Sequence, residues 1–137
     1  MELKGKIAIV TGGASGIGKS IYELLLKNGC KVVVLDINKQ AIDCLKKNEN
    51  TIKIVCDISN EKMVSNAINK IKNQFKTIDI LINNAGILHS EPLINITSKN
   101  KKHNLTNWKK TIDINLTAPF LMGSYVAEQM VMNRNKG

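Results

Sequence analysis

The stretch Thr11-Gly12-Gly13-Ala14-Ser15-Gly16-Ile17-Gly18 follows the apolar run Ile7-Ala8-Ile9-Val10 and opens a segment with helical spacing. A strand that ends in glycines and feeds a helix constrains the chain to an α/β design. It also makes a phosphate cradle. Helix-end N–H groups and the helix dipole supply positive potential, and glycines let an anion approach the backbone. A carboxylate, Asp36, ends the next strand-like run, 18 positions after Gly18. That is close to the spacing of about 20 residues between a dinucleotide loop and an acid that binds the adenosine ribose.

The 137 residues fit one domain, 1–137, and 43% of them are hydrophobic, enough to bury a core. The longest apolar runs have strand length, short of the roughly 20 residues of a membrane span, so no membrane partner is expected. The N-terminus enters the first strand directly, without a signal-peptide pattern, which gives a cytoplasmic expectation. A net charge of +9 raises the question of nucleic acid. The lysines, however, are scattered over every helix and turn, with one cluster, Lys99, Lys101 and Lys102 beside His103, in a loop. A solvated surface is the reading for that cluster and for the loop histidines His89 and His103, and no nucleic-acid partner is expected. Cys30, Cys44 and Cys56 lack CxxC spacing, so Cys30 and Cys56, beside strands, are read as buried free thiols and no metal site is expected.

Along the chain, Lys6–Thr11 and Lys31–Asp36 read as strands buried on both faces, as in a parallel sheet covered by helices. Ile52–Cys56 and Ile78–Ile82 read as two more. Helices are predicted over Ile17–Asn28, Lys39–Lys47 and Glu61–Phe75, the last with an apolar stripe of Met63, Val64, Ala67, Ile68, Ile71 and Phe75. A polar stretch over about 88–105 precedes a final helix. Thr106 is its predicted cap, Ile112, Leu116, Phe120, Leu121 and Val126 its apolar side, and Pro119 the site of an interruption. The alternation predicts a Rossmann-like, doubly wound parallel sheet of order 3-2-1-4. In that order the loops Gly12–Gly18 and Asn83–Gly86 leave the carboxyl ends of the two strands that flank the ligand crevice.

The glycine loop alone is weakly specific. Its spacing, Gly12-x-x-x-Gly16-x-Gly18, departs from G-x-G-x-x-G, and residues 13–20 also satisfy the triphosphate-binding pattern G-x-x-x-x-G-K-S. That rival leaves Asp36 unexplained and offers no clear magnesium-binding acid, since Asp79 starts the fourth strand and does not end it.

Thr-Gly-x-x-x-Gly-Ile-Gly at 11–18, together with Asp36, Asp57-Ile58, Asn83-Asn84-Ala85-Gly86 and Asn115, resembles the short-chain dehydrogenases/reductases over essentially the whole chain, in the right order. The resemblance implies that Gly12, Ser15, Gly16, Ile17 and Gly18 line the cofactor pyrophosphate and nearby ribose. Asp57 and Ile58 would contact the adenine. Asn84, Ala85 and Gly86 would pass along the cofactor and steady the sheet. Asp36, with Ile37 beside it, would face the adenosine ribose. A carboxylate accepts both ribose hydroxyls of NAD and repels a 2′-phosphate, and Lys39 is the nearest cation, so NAD is expected over NADP. Asn115 would belong to the catalytic tetrad, holding a water that links the active-site lysine to solvent.

The implied activity is an NAD(H)-dependent interconversion of a small-molecule alcohol and ketone, by a full-length protein that is a homodimer or homotetramer. The reaction needs a serine and a Tyr-x-x-x-Lys pair. Tyr22 and Tyr125 are the only tyrosines, neither is followed by a lysine four residues on, and both read as packing residues. The chain therefore resembles the N-terminal, cofactor-binding half, incomplete after the fourth strand, with a fifth expected to begin about Asn133–Gly137. By itself it is expected to be inactive, with strand 4 left as an exposed apolar edge. The alternatives are a non-catalytic dinucleotide-binding module, an inactive gene fragment, or part of an NADP-dependent 3-oxoacyl reductase-like enzyme.

Overall fold

Four parallel strands form one sheet in the order β3-β2-β1-β4 in the computed structural model, which describes residues 2–134. β1 (Ile7–Thr11) lies between β2 (Lys31–Asp36) and β4 (Ile80–Ile82), and β3 (Thr51–Val55) pairs with β2. α1 (Gly16–Lys27), α2 (Lys39–Cys44) and α3 (Glu61–Phe75) connect the strands. After β4 come α4 (Leu105–Ile112), a π-helical turn (Asp113–Thr117) and α5 (Ala118–Arg134). The predicted α/β class and the strand order 3-2-1-4 both hold.

Strand alternation divides the core in two. Ile9, Val33 and Leu35 pack with Val64, Ile68 and Ile71 of α3 and with Met122 and Val126 of α5. Ala8, Val10, Val32 and Val34 point the other way, onto Tyr22 and Leu25 of α1 and Ile42 of α2. Burial on both faces explains why β1 and β2 read as continuous apolar runs. Asp79 fixes the amino end of this layer: its carboxylate accepts the Ile7 N–H at 2.8 Å and pairs with Lys6 Nζ at 3.3 Å.

Several boundaries differ from the sequence reading. α2 stops at Cys44, three residues before Lys47, because Leu45 turns extended (φ −64°, ψ 138°) and its carbonyl accepts Lys53 Nζ. β3 lies one residue earlier than predicted, and β4 begins at Ile80, two residues after Ile78. The cap of α4 is Asn104 and not Thr106: its side-chain oxygen accepts the N–H groups of Thr106 at 2.8 Å and Asn107 at 3.2 Å. The fifth strand expected about Asn133–Gly137 falls where α5 still runs at Arg134 and otherwise lies outside the described residues.

The largest correction concerns the last helix. Leu116 and Phe120, expected on its apolar side, are 65% and 75% exposed, whereas Ala118, Met122 and Val126 are buried. The cause is the π-helical turn, where the Ala118 N–H donates to the Asp113 carbonyl five residues back. A wider turn advances the helix face by about one residue, or roughly 100°. Beyond the wide turn the buried stripe is Ala118, Met122 and Val126, four residues apart, and Leu116 and Phe120 lie off it. Pro119, which has no N–H, sits immediately after the wide turn, consistent with the interruption read from it.

Cys30 and Cys56 are buried free thiols and Cys44 is exposed. Burial pushes the Cys56 thiol up to about 11, with the neighbouring Asp57 charge adding to the effect. Among the described residues no helix is long and apolar enough to cross a membrane.

Candidate functional site

The carboxyl ends of the central strands open onto a cleft of about 390 Å³. It is lined by Gly12, Ser15, Gly16 and Ile17 from the glycine loop, Asp36 and Ile37 from β2 and its exit, Asp57 and Ile58 after β3, and Asn84, Ala85 and Gly86 after β4. Four loops distant in sequence thus converge on one cavity. Leu35, Cys56, Ile87 and Ile114 also line it. Sequence reasoning gave none of them a place in the site, although each sits beside a residue that it placed there.

The glycine loop is held against the β4 exit by contacts that leave no room for side chains. Gly12 has φ +62°, and a Cβ there would meet Ala85 Cα at 3.0 Å. Gly18 does not line the cleft. It packs behind the loop, where a Cβ would overlap the Gly12 carbonyl and crowd Asn84 Nδ2. Its part is therefore to let α1 approach the strand ends, one step removed from the pyrophosphate contact expected of it.

Thr11 is the residue the sequence reading gave no role. It is fully buried, and its hydroxyl accepts the N–H groups of Asn84 at 3.0 Å and Ala85 at 3.1 Å while facing the Ile82 carbonyl at 3.3 Å. The Asn84 side chain returns the link, donating to the Thr11 and Gly12 carbonyls at 3.0 and 3.3 Å. One hydroxyl and one carboxamide thus join the two loops at the topological switch point. A threonine directly before a glycine loop is the available sequence signal.

At the start of α1, the Ser15 side chain makes no capping bond and the first turn carries no acidic residue. These N–H groups are open to an anion. Asp36 is fixed from both sides: Oδ2 accepts the Ala14 N–H at 3.1 Å and Oδ1 accepts the Asn38 N–H at 3.0 Å. Each oxygen keeps a further lone pair for a hydroxyl donor. Asp57 closes its own turn, accepting the Ser59 N–H and hydroxyl at 3.0 and 2.7 Å.

Asn115 stands on the π-helical turn, next to Ile114 in the cleft wall. Its Oδ1 accepts the Ile87 N–H at 2.8 Å and its Nδ2 donates to the Ile87 carbonyl at 2.7 Å. The side chain therefore grips both backbone groups of Ile87, one from each of two successive peptide units after β4. The triphosphate-binding alternative fails on geometry. Lys19 reaches along the helix toward Glu23 at 3.9 Å, Ser20 Oγ bonds back to the Gly16 carbonyl, and Asp79 lies at the opposite end of the sheet. The tyrosines also lie away from the cleft: Tyr22 OH contacts Thr51 Oγ1 at 3.2 Å, and Tyr125 OH donates to Glu61 Oε1 at 3.3 Å.

The family model for short chain dehydrogenases matches residues 6–137. The chain belongs to the short-chain dehydrogenase family. Its similarity to 15-hydroxyprostaglandin dehydrogenase (NAD(+)) of Rattus norvegicus is 33% identity over all of this chain and 48% of that protein. With a mitochondrial borneol dehydrogenase of Lavandula x intermedia it shares 35% identity, over 98% of this chain and 50% of the other. Among solved structures, a 3-ketoacyl-(acyl-carrier-protein) reductase from Brucella melitensis complexed with NADH superposes with a TM-score of 0.86 at 28% identity. That match covers 98% of this chain and 54% of the other. This short-chain dehydrogenase chain thus spans about half the length of the relatives it matches and corresponds to their N-terminal part.

Proposed function

We propose that this chain forms the NAD(H)-binding half of an oxidoreductase that interconverts a small-molecule alcohol and ketone. The observation that carries the reading is Asp36, a carboxylate held by two backbone N–H groups in the wall of a cleft whose opposite lip is a helix N-terminus. The donor set fits a dinucleotide. The first turn of α1 offers N–H groups without a competing acid, and a Cβ position at Gly16 faces open space. Ser15, Gly16 and Ile17 would hold the pyrophosphate, Asp36 and Ile37 the adenosine ribose, and Asp57 and Ile58 the adenine. Asn84, Ala85 and Gly86 would face the nicotinamide half. When bound, the nicotinamide supplies or accepts the hydride.

Asp36 disfavours a 2′-phosphate because two like charges would share one side of the cleft. NADH is expected to bind at least about tenfold more tightly than NADPH, and Asp36→Ala to shrink that ratio toward unity. Calorimetric titration of both cofactors checks this, and equal affinities for the unsubstituted protein would reject it.

Asn115 supports catalysis by fixing the Ile87 peptide beside the reacting end of the cleft. Its removal breaks both bonds to the Ile87 backbone. In the whole enzyme Asn115→Ala is expected to lower kcat by about tenfold to a hundredfold, the equivalent of one or two hydrogen bonds. An unchanged kcat would remove Asn115 from the mechanism. These 137 residues contain no Tyr-x-x-x-Lys, so the proton-transfer pair of the proposed reaction has to come from elsewhere in the protein.

A further inference from the structure

The polar stretch between Gly86 and α4 is a closed loop with its ends tied. Glu91 is the tie. Its carboxylate accepts the Asn104 N–H at 3.3 Å and Asn107 Nδ2 at 3.2 Å, and its carbonyl lies 3.1 Å from His103 Nδ1. Farther along, an antiparallel bridge joins Ile94 to Lys102, and the Asn95 N–H donates to the Lys101 carbonyl at 2.7 Å. His103 is not solvated, as expected of it, but only 14% exposed at its side chain and edge-on to Trp108, with ring centres 6.2 Å apart.

The closed loop surrounds a recess of about 850 Å³ lined by Lys99, Lys101 and Lys102. None of these three lysines has an ion-pair partner among the described residues. The one carboxylate at the recess, Glu91, is already engaged by Asn104 and Asn107 and lies 3.7 Å from His103 Nδ1. A second recess of about 350 Å³, with Leu88, Leu93 and Trp108 in its wall, shares Glu91 and His103 with the first. Leu88 directly follows Ile87, which lines the cofactor cleft. The cationic recess thus adjoins an apolar and aromatic one through shared residues, and the chain passes from the cleft into the second at Ile87 and Leu88.

We propose that residues 88–104 form a receptor for the anionic end of the substrate, which makes the substrate an amphipathic carboxylic acid with an apolar chain between carboxylate and reacting carbon. The linings of the two adjoining recesses set this chemistry. Leu88, Leu93 and Trp108 offer an apolar wall, and the unpaired lysines beyond them favour a negative group. Three exposed lysines together supply a preference of about tenfold to a hundredfold for an acid over its neutral ester. The assignment rests on the oxidoreductase reading above for the word substrate, although the anion site itself can be measured without it.

The test uses the purified protein, with decanoate and methyl decanoate as probes, followed by calorimetry at low and at physiological salt. Decanoate is expected to bind at least about tenfold more tightly than the ester, with the difference shrinking as salt rises. The triple substitution Lys99→Ala, Lys101→Ala, Lys102→Ala is expected to abolish the difference and to leave NADH affinity unchanged. These lysines are exposed, so their removal leaves the core intact. Equal binding of acid and ester, or a preference that survives the triple substitution, would overturn the proposal. Displacement of decanoate by an oligonucleotide that binds more tightly through the same lysines would overturn it in favour of a nucleic-acid surface. NADH titrated alongside separates the two claims: loss of NADH binding with a retained acid preference rejects the cofactor reading alone.

Discussion

Gly18→Ala is expected to lose about 2–4 kcal/mol of stability and to weaken NADH binding by at least about tenfold. The new methyl group would overlap the Gly12 carbonyl and press on the Asn84 side chain. Neither is the far end of a flexible chain: Gly12 is backbone, and Asn84 is held by the Thr11 and Gly12 carbonyls. The glycine loop would have to lift away from α1, and the anion cradle with it. Gly123→Ala serves as the control, because a Cβ there meets nothing within 4 Å and alanine favours the helix by up to about 1 kcal/mol. Urea unfolding and NADH titration of both variants decide the matter. Equal stability and affinity for Gly18→Ala and the unsubstituted protein would mean that the close approach of α1 to the strand ends carries no weight.

The second large effect belongs to Thr11. Thr11→Val keeps the shape of the side chain and removes the buried hydroxyl, which leaves the half-buried N–H groups of Asn84 and Ala85 without their partner. An unsatisfied donor costs about 1–3 kcal/mol when fully buried, so the two half-buried ones together put the expected loss at about 1–3 kcal/mol. Thr11→Ser retains the oxygen and should lose much less. The comparison isolates the hydroxyl from the methyl group, and coincident urea midpoints for the two variants would contradict the assigned role.

What the sequence carried and what it did not can be traced to range. β1, β2 and α3 are encoded by local patterns, two unbroken apolar runs and one stripe of helical period, and α3 runs over the predicted residues. The cleft was legible for the same reason. Gly12, Ser15, Gly16, Asp36, Asp57 and Asn84 are small or polar residues placed at the carboxyl ends of strands, and the 3-2-1-4 order gathers those ends. Thr11 was missed because its partners lie 71 to 74 residues away, beyond any local pattern. Gly18 was given a ligand-facing role because spacing reveals a glycine without saying which side of the loop its missing Cβ would occupy. The tie at Glu91 depends on three residues 12 to 16 positions later, in a stretch whose polar composition resembled that of any solvated loop. Leu116 and Phe120 were turned the wrong way because helical periodicity assumes a constant pitch, and the π-helical turn breaks it.

That turn also fixes where this chain can tolerate changes in length. Between Gly86 and Asn104 the chain can gain or lose residues at a loop tip, since only the tied ends must meet. Between Asp113 and Thr117 it cannot. Asn115 must reach Ile87 while Ala118, Met122 and Val126 face the sheet, and one residue is the margin that satisfies both. A single-codon deletion there would remove the extra residue and restore a regular helix, keeping Met122 and Val126 on the sheet side but taking away the wide turn from which Asn115 reaches Ile87. The reading frame of the helix is thus as strictly set as any side chain in the cleft, although no particular side chain in the turn reveals it.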